Sequence, residues 1–154
     1  MFFLTFGEEF MKIDSTDSSI ITVLEKNARL SFRKIAKKVG VSVATVMNRV
    51  NKLEKKGAIK GYSVVLDYDI LEYDLQALIS IIVSKGKLFQ VEKKIASHSN
   101  VVAVYDITGH FDVIVLTRFK TRKSLDSFLK KIQSLDFVEK TETQIILNTI
   151  KEDL

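Results

Sequence analysis

Cysteine and proline are both absent from this 154-residue chain, and histidine occurs only twice, as His98 and His110. Without cysteine there is no disulfide, no thiolate nucleophile and no cysteine-ligated zinc. Two isolated histidines argue against metal catalysis, and neither a metal nor a cofactor is expected. Long apolar runs are missing too, since no stretch approaches the ~18 residues that a membrane-spanning helix requires. The opening Phe2-Phe3-Leu4 is too short for a secretory signal and lacks the basic flank. A folded cytoplasmic protein without a membrane partner is the expectation. What the chain does contain, 46% hydrophobic and 28% charged residues, can bury one medium core or two small ones.

Charge is uneven along the chain. Residues 1–60 hold twelve Lys and Arg against six Asp and Glu, a balance of +6, while residues 61–154 hold twelve against thirteen, a balance of −1. A polyanion meeting the N-terminal portion would explain the asymmetry, because each phosphate neutralised releases condensed counterions. A lysine-decorated, solvated surface would explain it equally if nothing else pointed to nucleic acid.

Something else does. Ser31 to Gly57 reads as two short helices joined by a glycine-centred turn, a helix-turn-helix. Ile35, Ala36 and Val39 give the first helix an apolar side, Gly40 tolerates positive φ in the turn, and Ser42 can cap the second helix. Val46, Val50 and Leu53 recur at i, i+4 and i+7 and face inward. The other side carries Ala44, Asn48, Asn51, Lys52 and Lys55, with Ser42 and Thr45 at the helix start. Amides can pair with base edges while lysines hold phosphates, so this face suits the major groove of double-stranded DNA. Ser31, Arg33 and Lys34 open the first of the two helices and are candidate phosphate contacts. Arg49 lies on the flank, where touching a phosphate and pairing with a carboxylate inside the domain are equally good readings.

Upstream, Asp14 or Ser15 through Asn27 reads as a further helix, with Asp17 and nearby hydroxyls satisfying its free amides and Ile20, Val23 and Leu24 facing inward. Three helices over residues 12–60 then make a compact domain, and Ala58 to Tyr68 begins an extended connector, residues 61–74. From Leu75 the order is strand, helix, strand, strand, helix, strand: Leu75–Ser84, a helix over Leu88, Val91 and Ile95, Val101–Thr108, Phe111–Phe119, a helix over Leu125, Phe128, Leu129 and Ile132, then Phe137–Ile150. The expected class is therefore α+β. An N-terminal helix-turn-helix, winged-helix-like, precedes a ferredoxin-like βαββαβ domain over 75–154, with both helices on one face of an antiparallel sheet. Strands as apolar as Ile79–Val83 and Val113–Leu116 ask for cover on the second face, and no further helix is available in the chain. A symmetric dimer that packs sheet on sheet would supply it and would present two reading heads to a two-fold operator.

With those residues in view, the chain from about Lys12 resembles the Lrp/AsnC family, the leucine-responsive and asparagine-responsive regulators. The resemblance runs through Ile13-Asp14 and Asp17, Asn27-Ala-Arg29-Leu-Ser31, Ile35-Ala36, Val39-Gly40-Val41-Ser42, Val46, Arg49-Val50, Leu53-Glu54 and Gly57-Ala-Ile-Lys-Gly61-Tyr. In the second half, Tyr105 to Asp112 is similar to the family's glycine-x-aromatic-aspartate signature. The resemblance implies a regulator of transcription whose second domain senses an amino acid and assembles into dimers, tetramers or octamers. It also suggests a start at Met11, leaving residues 1–10 as an extension.

The amino-acid receptor that the resemblance implies can be matched to chemistry. Gly109 allows close backbone approach, the amides of His110 and Phe111 can meet an α-carboxylate, and Asp112 can hold an α-ammonium. Thr141, Thr143 and Gln144 of the last strand add polar reach. The plainer alternative is a hairpin turn, in which Gly109 supplies the conformation and Asp112 bonds nearby amides. Lys93-Lys94 and the run Arg118, Lys120, Arg122, Lys123 read as solvated surface. Two other functions fit the pattern less well: an architectural DNA-binding protein without a ligand, and a small ferredoxin-like enzyme using Asp106, His110 and Asp112. The enzyme lacks a glycine-rich phosphate loop, a metal-ligand cluster and a serine paired with histidine.

Overall fold

The computed structural model describes residues 12–84 and 86–152. The extension 1–10 and the start at Met11 lie outside the described residues. The chain divides into two compact units between Val65 and Leu66, inside the stretch that composition marks as a connector.

In the first unit, α1 spans Ser15–Lys26, α2 Phe32–Val39 and α3 Val43–Lys55. Asp14, rather than Asp17, is the N-cap of α1: its Oδ1 accepts the Asp17 N–H at 2.8 Å, while Asp17 Oδ2 accepts the Asp14 N–H at 3.3 Å. Two orphan amides are satisfied reciprocally. Ser31 and Ser42 cap α2 and α3 more simply, each hydroxyl accepting one N–H, from Lys34 and Thr45, and Gly40, at φ 78°, ends α2 with its N–H on the Ala36 carbonyl. That left-handed turn sets the two helices at an angle at which Ile20, Leu24, Ile35, Ala36, Val46 and Val50 close into one core. Burying such side chains contributes roughly 1.5–3 kcal/mol each for the larger ones. No strand follows α3 within this unit among the described residues; residues 58–65 are β-rich in composition but have no partner strand among those residues.

The second unit runs β1 (Leu75–Val83), α4 (Leu88–Ala96), β2 (Val101–Asp106), β3 (Val113–Phe119), α5 (Arg122–Gln133) and β4 (Val138–Ile146). The antiparallel strands stand in the order β2-β3-β1-β4, the expected ferredoxin-like arrangement. Five strand ends are shorter than hydropathy suggested, because Ser84, Ile107–Thr108, Phe111–Asp112, Phe137 and residues 147–150 lie outside the ladder in connections. Along β1, Ala77, Ile79, Ile81 and Val83 face the helices, on the same side as Val113, Val115 and Phe119 of β3, with Ile79 opposite Val115 and Ile81 opposite Val113. Val91 and Ile95 of α4 and Leu125, Phe128 and Ile132 of α5 complete this core. Thr117 is buried here too, its Oγ1 donating to the Ala77 carbonyl at 2.9 Å.

The other sheet face carries Gln76, Leu78, Ser80 and Ile82 beside Ile114, Leu116 and Arg118. Hydropathy left this face without cover from the chain itself. One end is covered nonetheless: Thr149 Oγ1 donates to Gln76 Oε1 at 2.8 Å, Gln76 Nε2 donates to Glu152 Oε1 at 3.2 Å, and Arg118 pairs with Glu152. The rest of the face, with Leu78, Ile82 and Ile114 half-buried and Tyr105 exposed, carries no helix among the described residues.

Candidate functional site

The first site is built on α3. With Val46, Val50 and Leu53 fully buried, the 100° step of the helix turns Val43, Ala44, Met47, Asn48, Asn51 and Lys55 outward on one arc, Asn51 near its centre. Lys52 stands at the edge of that arc, and all seven side chains are exposed. The arc thus brings together five residues expected from sequence and adds two that were missed. Val43 and Met47 are 45% and 43% exposed, unusual for apolar side chains on a packed helix, and such groups can meet a thymine methyl. Their helical phase was the signal available in the sequence. Ser42 and Thr45 are engaged in the cap itself, Oγ to Oγ1 at 2.8 Å and Thr45 N–H to Ser42 Oγ at 3.0 Å. Ser31, Arg33 and Lys34 are exposed at the start of α2, with Ser31 Oγ accepting the Lys34 N–H at 3.4 Å.

Arg49 is placed differently. Its Nη1 lies 2.5 Å from Asp14 Oδ2 and 3.3 Å from both Asp17 oxygens, and Asp17 is fully buried. Of the two readings of Arg49, the structure has the carboxylate pair. The Asp17 N–H first, and the guanidinium after it, hold the Asp14 carboxyl below its ordinary value against an opposing effect of burial; the same pair raises Arg49. Glu54 accepts the Tyr62 hydroxyl at 2.8 Å, and burial of that hydroxyl, followed by its bond to Glu54, pushes the phenol up to about 12.

The second site is the loop between β2 and β3. Gly109 has φ 126°, a conformation that side chains rarely adopt, and Gly109 and His110 are exposed. The His110 ring meets Phe111 edge-on at 4.8 Å, and Lys140 Nζ lies 5.9 Å from the Phe111 ring centre. Asp112 does more than make a local turn: its Oδ2 accepts the Val83 N–H at 2.8 Å, its own N–H donates to Ile81, and its carbonyl accepts from Ile107. The carboxylate therefore extends the β1–β3 ladder by one rung where β1 and β4 slip register at Ile82/Val83. The last strand does not deliver its three expected residues to one place. Thr141 and Thr143 lie opposite Ile81 and Ile79 on the helix side, with Thr141 Oγ1 held by Gln133, whereas Gln144 lies opposite Leu78 on the other face.

Arg118 corrects the sequence reading outright. It is 7% exposed instead of solvated, stacked 3.8 Å from the Tyr68 ring centre and paired with Glu152. Strand parity with Ile114 and Leu116 already put it on the sheet face; what covers that face was not visible.

Residues 13–60 match the family described as winged helix-turn-helix DNA-binding, and residues 76–154 match the Lrp/AsnC ligand binding domain. Over 143 residues the chain is 43% identical to an HTH-type transcriptional regulator of Pyrococcus furiosus, covering 93% of this chain and 97% of that one. It is 39% identical over 145 residues to the regulatory protein AsnC of Haemophilus influenzae, covering 92% and 97%. The solved structure of AsnC from E. coli superposes with a TM-score of 0.83 at 31% identity, covering 92% of this chain and 96% of that chain.

Proposed function

The chain belongs to the Lrp/AsnC family of transcriptional regulators, and from that premise we propose that it reads specific duplex sequences and that a free amino acid alters its assembly or its DNA affinity. The observation that carries the first half is the α3 arc, an exposed face of amides, lysines and two apolar side chains backed by a fully buried stripe. On this reading Asn48 and Asn51 read base edges, Val43, Ala44 and Met47 meet methyl groups, and Lys52 and Lys55, with Ser31, Arg33 and Lys34, hold phosphates. Ser42 and Thr45 set the helix start that approaches the groove.

The effector is received at Gly109, His110, Phe111 and Asp112, the contiguous part of the expected set. Amides of the loop meet the carboxylate, and Asp112, already holding Val83, shares its charge with the ammonium. Gln144, on the helix-free face, is available to a second protomer, while Thr141 and Thr143 support the strand. That face, with Leu78, Ile82, Ile114 and Tyr105, suits a second copy packed sheet on sheet, and dimers so formed build the larger assemblies. The protein works in the cytoplasm, with no membrane partner and no catalysis. Regulation is linkage: an amino acid shifts DNA affinity by the difference it makes between two assembly states.

Titration of the full chain with individual amino acids, following heat, oligomer size and operator affinity together, tests the reading. A saturable ligand that moves either assembly or DNA affinity supports it. An architectural protein would give no saturable ligand, and an enzyme would consume one.

A further inference from the structure

Met47 carries the only sulfur among the described residues; the other two methionines, Met1 and Met11, lie outside them, and the chain has neither cysteine nor tryptophan. Two-electron oxidants such as hydroperoxides act on thiols and thioethers, the more readily the more exposed the sulfur-bearing side chain. Among the described residues that chemistry therefore falls on one side chain, and it is on the groove-facing arc of α3. Met47 stands one turn beyond Val43 and one turn before Asn51, exposed on a helix whose buried stripe is Val46, Val50 and Leu53. Its exposure opens it to an oxidant, and its place sets the oxidised product against DNA.

We propose that Met47 is an oxidation site through which hydroperoxides weaken the grip of the protein on DNA, and that reduction of the sulfoxide restores it. The inference rests on the reading of α3 as the groove-facing helix. In the step itself the thioether sulfur attacks the terminal oxygen of the hydroperoxide, the O–O bond breaks as the S–O bond forms, and the proton of the transferred oxygen passes to the departing alkoxide or hydroxide. Sulfur gives up two electrons, and the peroxide is reduced to an alcohol or water. The product replaces a flexible apolar group with a polar acceptor. Beside a thymine the major groove offers a methyl group and the O4 acceptor, and neither can bond a sulfoxide oxygen. That oxygen would be buried without a partner in both heads of a dimer at once. The helix is expected to survive the change, because Met47 lies outside the core that holds α3.

Hydrogen peroxide treatment of the full chain tests it, with peptide mass mapping of the product and fluorescence anisotropy on a duplex that the parent selects from a random pool. Oxidation at Met47 is expected to weaken binding roughly tenfold for each head and about a hundredfold for a dimer, the scale of one unpartnered polar group per head. Met47→Leu, which keeps Met1 and Met11, is expected to bind as the parent does and to hold its affinity after peroxide. Met47→Gln, which places an acceptor there permanently, should bind like the oxidised parent, and methionine sulfoxide reductase should restore the oxidised parent. The proposal is overturned if Met47→Leu loses as much affinity after peroxide as the parent, if the Met47 sulfoxide binds as tightly as the thioether, or if its oxidation unfolds the first unit. Peroxide treatment under saturating duplex separates these failures from a failure of the α3 assignment. Protection of Met47 by the duplex upholds the face whatever the sulfoxide then does, whereas an unchanged rate of oxidation removes the face and the proposal together.

Discussion

Replacing Lys52 and Lys55 together by alanine is expected to halve the salt dependence of duplex binding, whereas Arg49→Gln is expected to leave it unchanged. Four exposed cations stand at the candidate interface of each head: Arg33, Lys34, Lys52 and Lys55. A dimer would bring eight, and at ~0.9 counterions per phosphate contact the slope of log K against log salt is about −7 for the parent and about −3.6 for the double variant. Between 50 and 200 mM salt the parent should then lose roughly four decades of affinity and the variant roughly two. Arg49 is expected to add nothing to this slope, because it is paired with Asp14 and Asp17. Its loss should appear instead as a lower denaturation midpoint of the first unit, since Asp17 would stay fully buried without its cation. Fluorescence anisotropy with a labelled duplex over that salt range measures the slopes, and circular dichroism follows the midpoint. An Arg49→Gln slope reduced as far as that of the double variant, or a double variant with the parent slope, would refute the assignment of the face.

Two further perturbations bear on the caps and the ladder. Asp112→Ala should destabilise the second unit by about 1.5–3 kcal/mol, the scale of a hydrogen bond to a charged group, and lower its urea midpoint by about 1 M; Asp112→Asn, which keeps an acceptor for Val83, should cost less than half of that, and equal costs would contradict the ladder role. The Asp14 carboxyl is depressed in the folded chain, so the unfolded chain binds more protons in acid. Its contribution is present in full above the unfolded value near ~3.9 and is lost as pH falls through the lower folded value. Acid unfolding of Asp14→Asn, which lacks this titration, should run flatter than the parent below about pH 4; parallel curves would count against the cap and its arginine.

Much of the architecture was legible because it is encoded over short spacings. Ser31, Gly40 and Ser42 act within four residues of themselves, and the i, i+4, i+7 recurrence of Val46, Val50 and Leu53 announces which side of α3 is buried before any partner is known. Strand parity likewise separates Leu78 from Ile79. Met47 is legible by its phase, but its apolar side chain by itself argues for the inside. The candidate loop was legible as a glycine-aspartate turn, but the rung it adds to the ladder was not.

The chain by itself determined the element order, the two units, the helix caps and the buried side of each amphipathic segment, since periodicity and capping are properties of neighbours in sequence. Only the tertiary structure decided that Arg49 pairs with Asp14 and Asp17, that Asp112 holds Val83, and that Glu152 returns to a buried Arg118. Each of those contacts joins residues at least 29 positions apart, and a charge carries no mark of its distant partner until the packed core brings the two together.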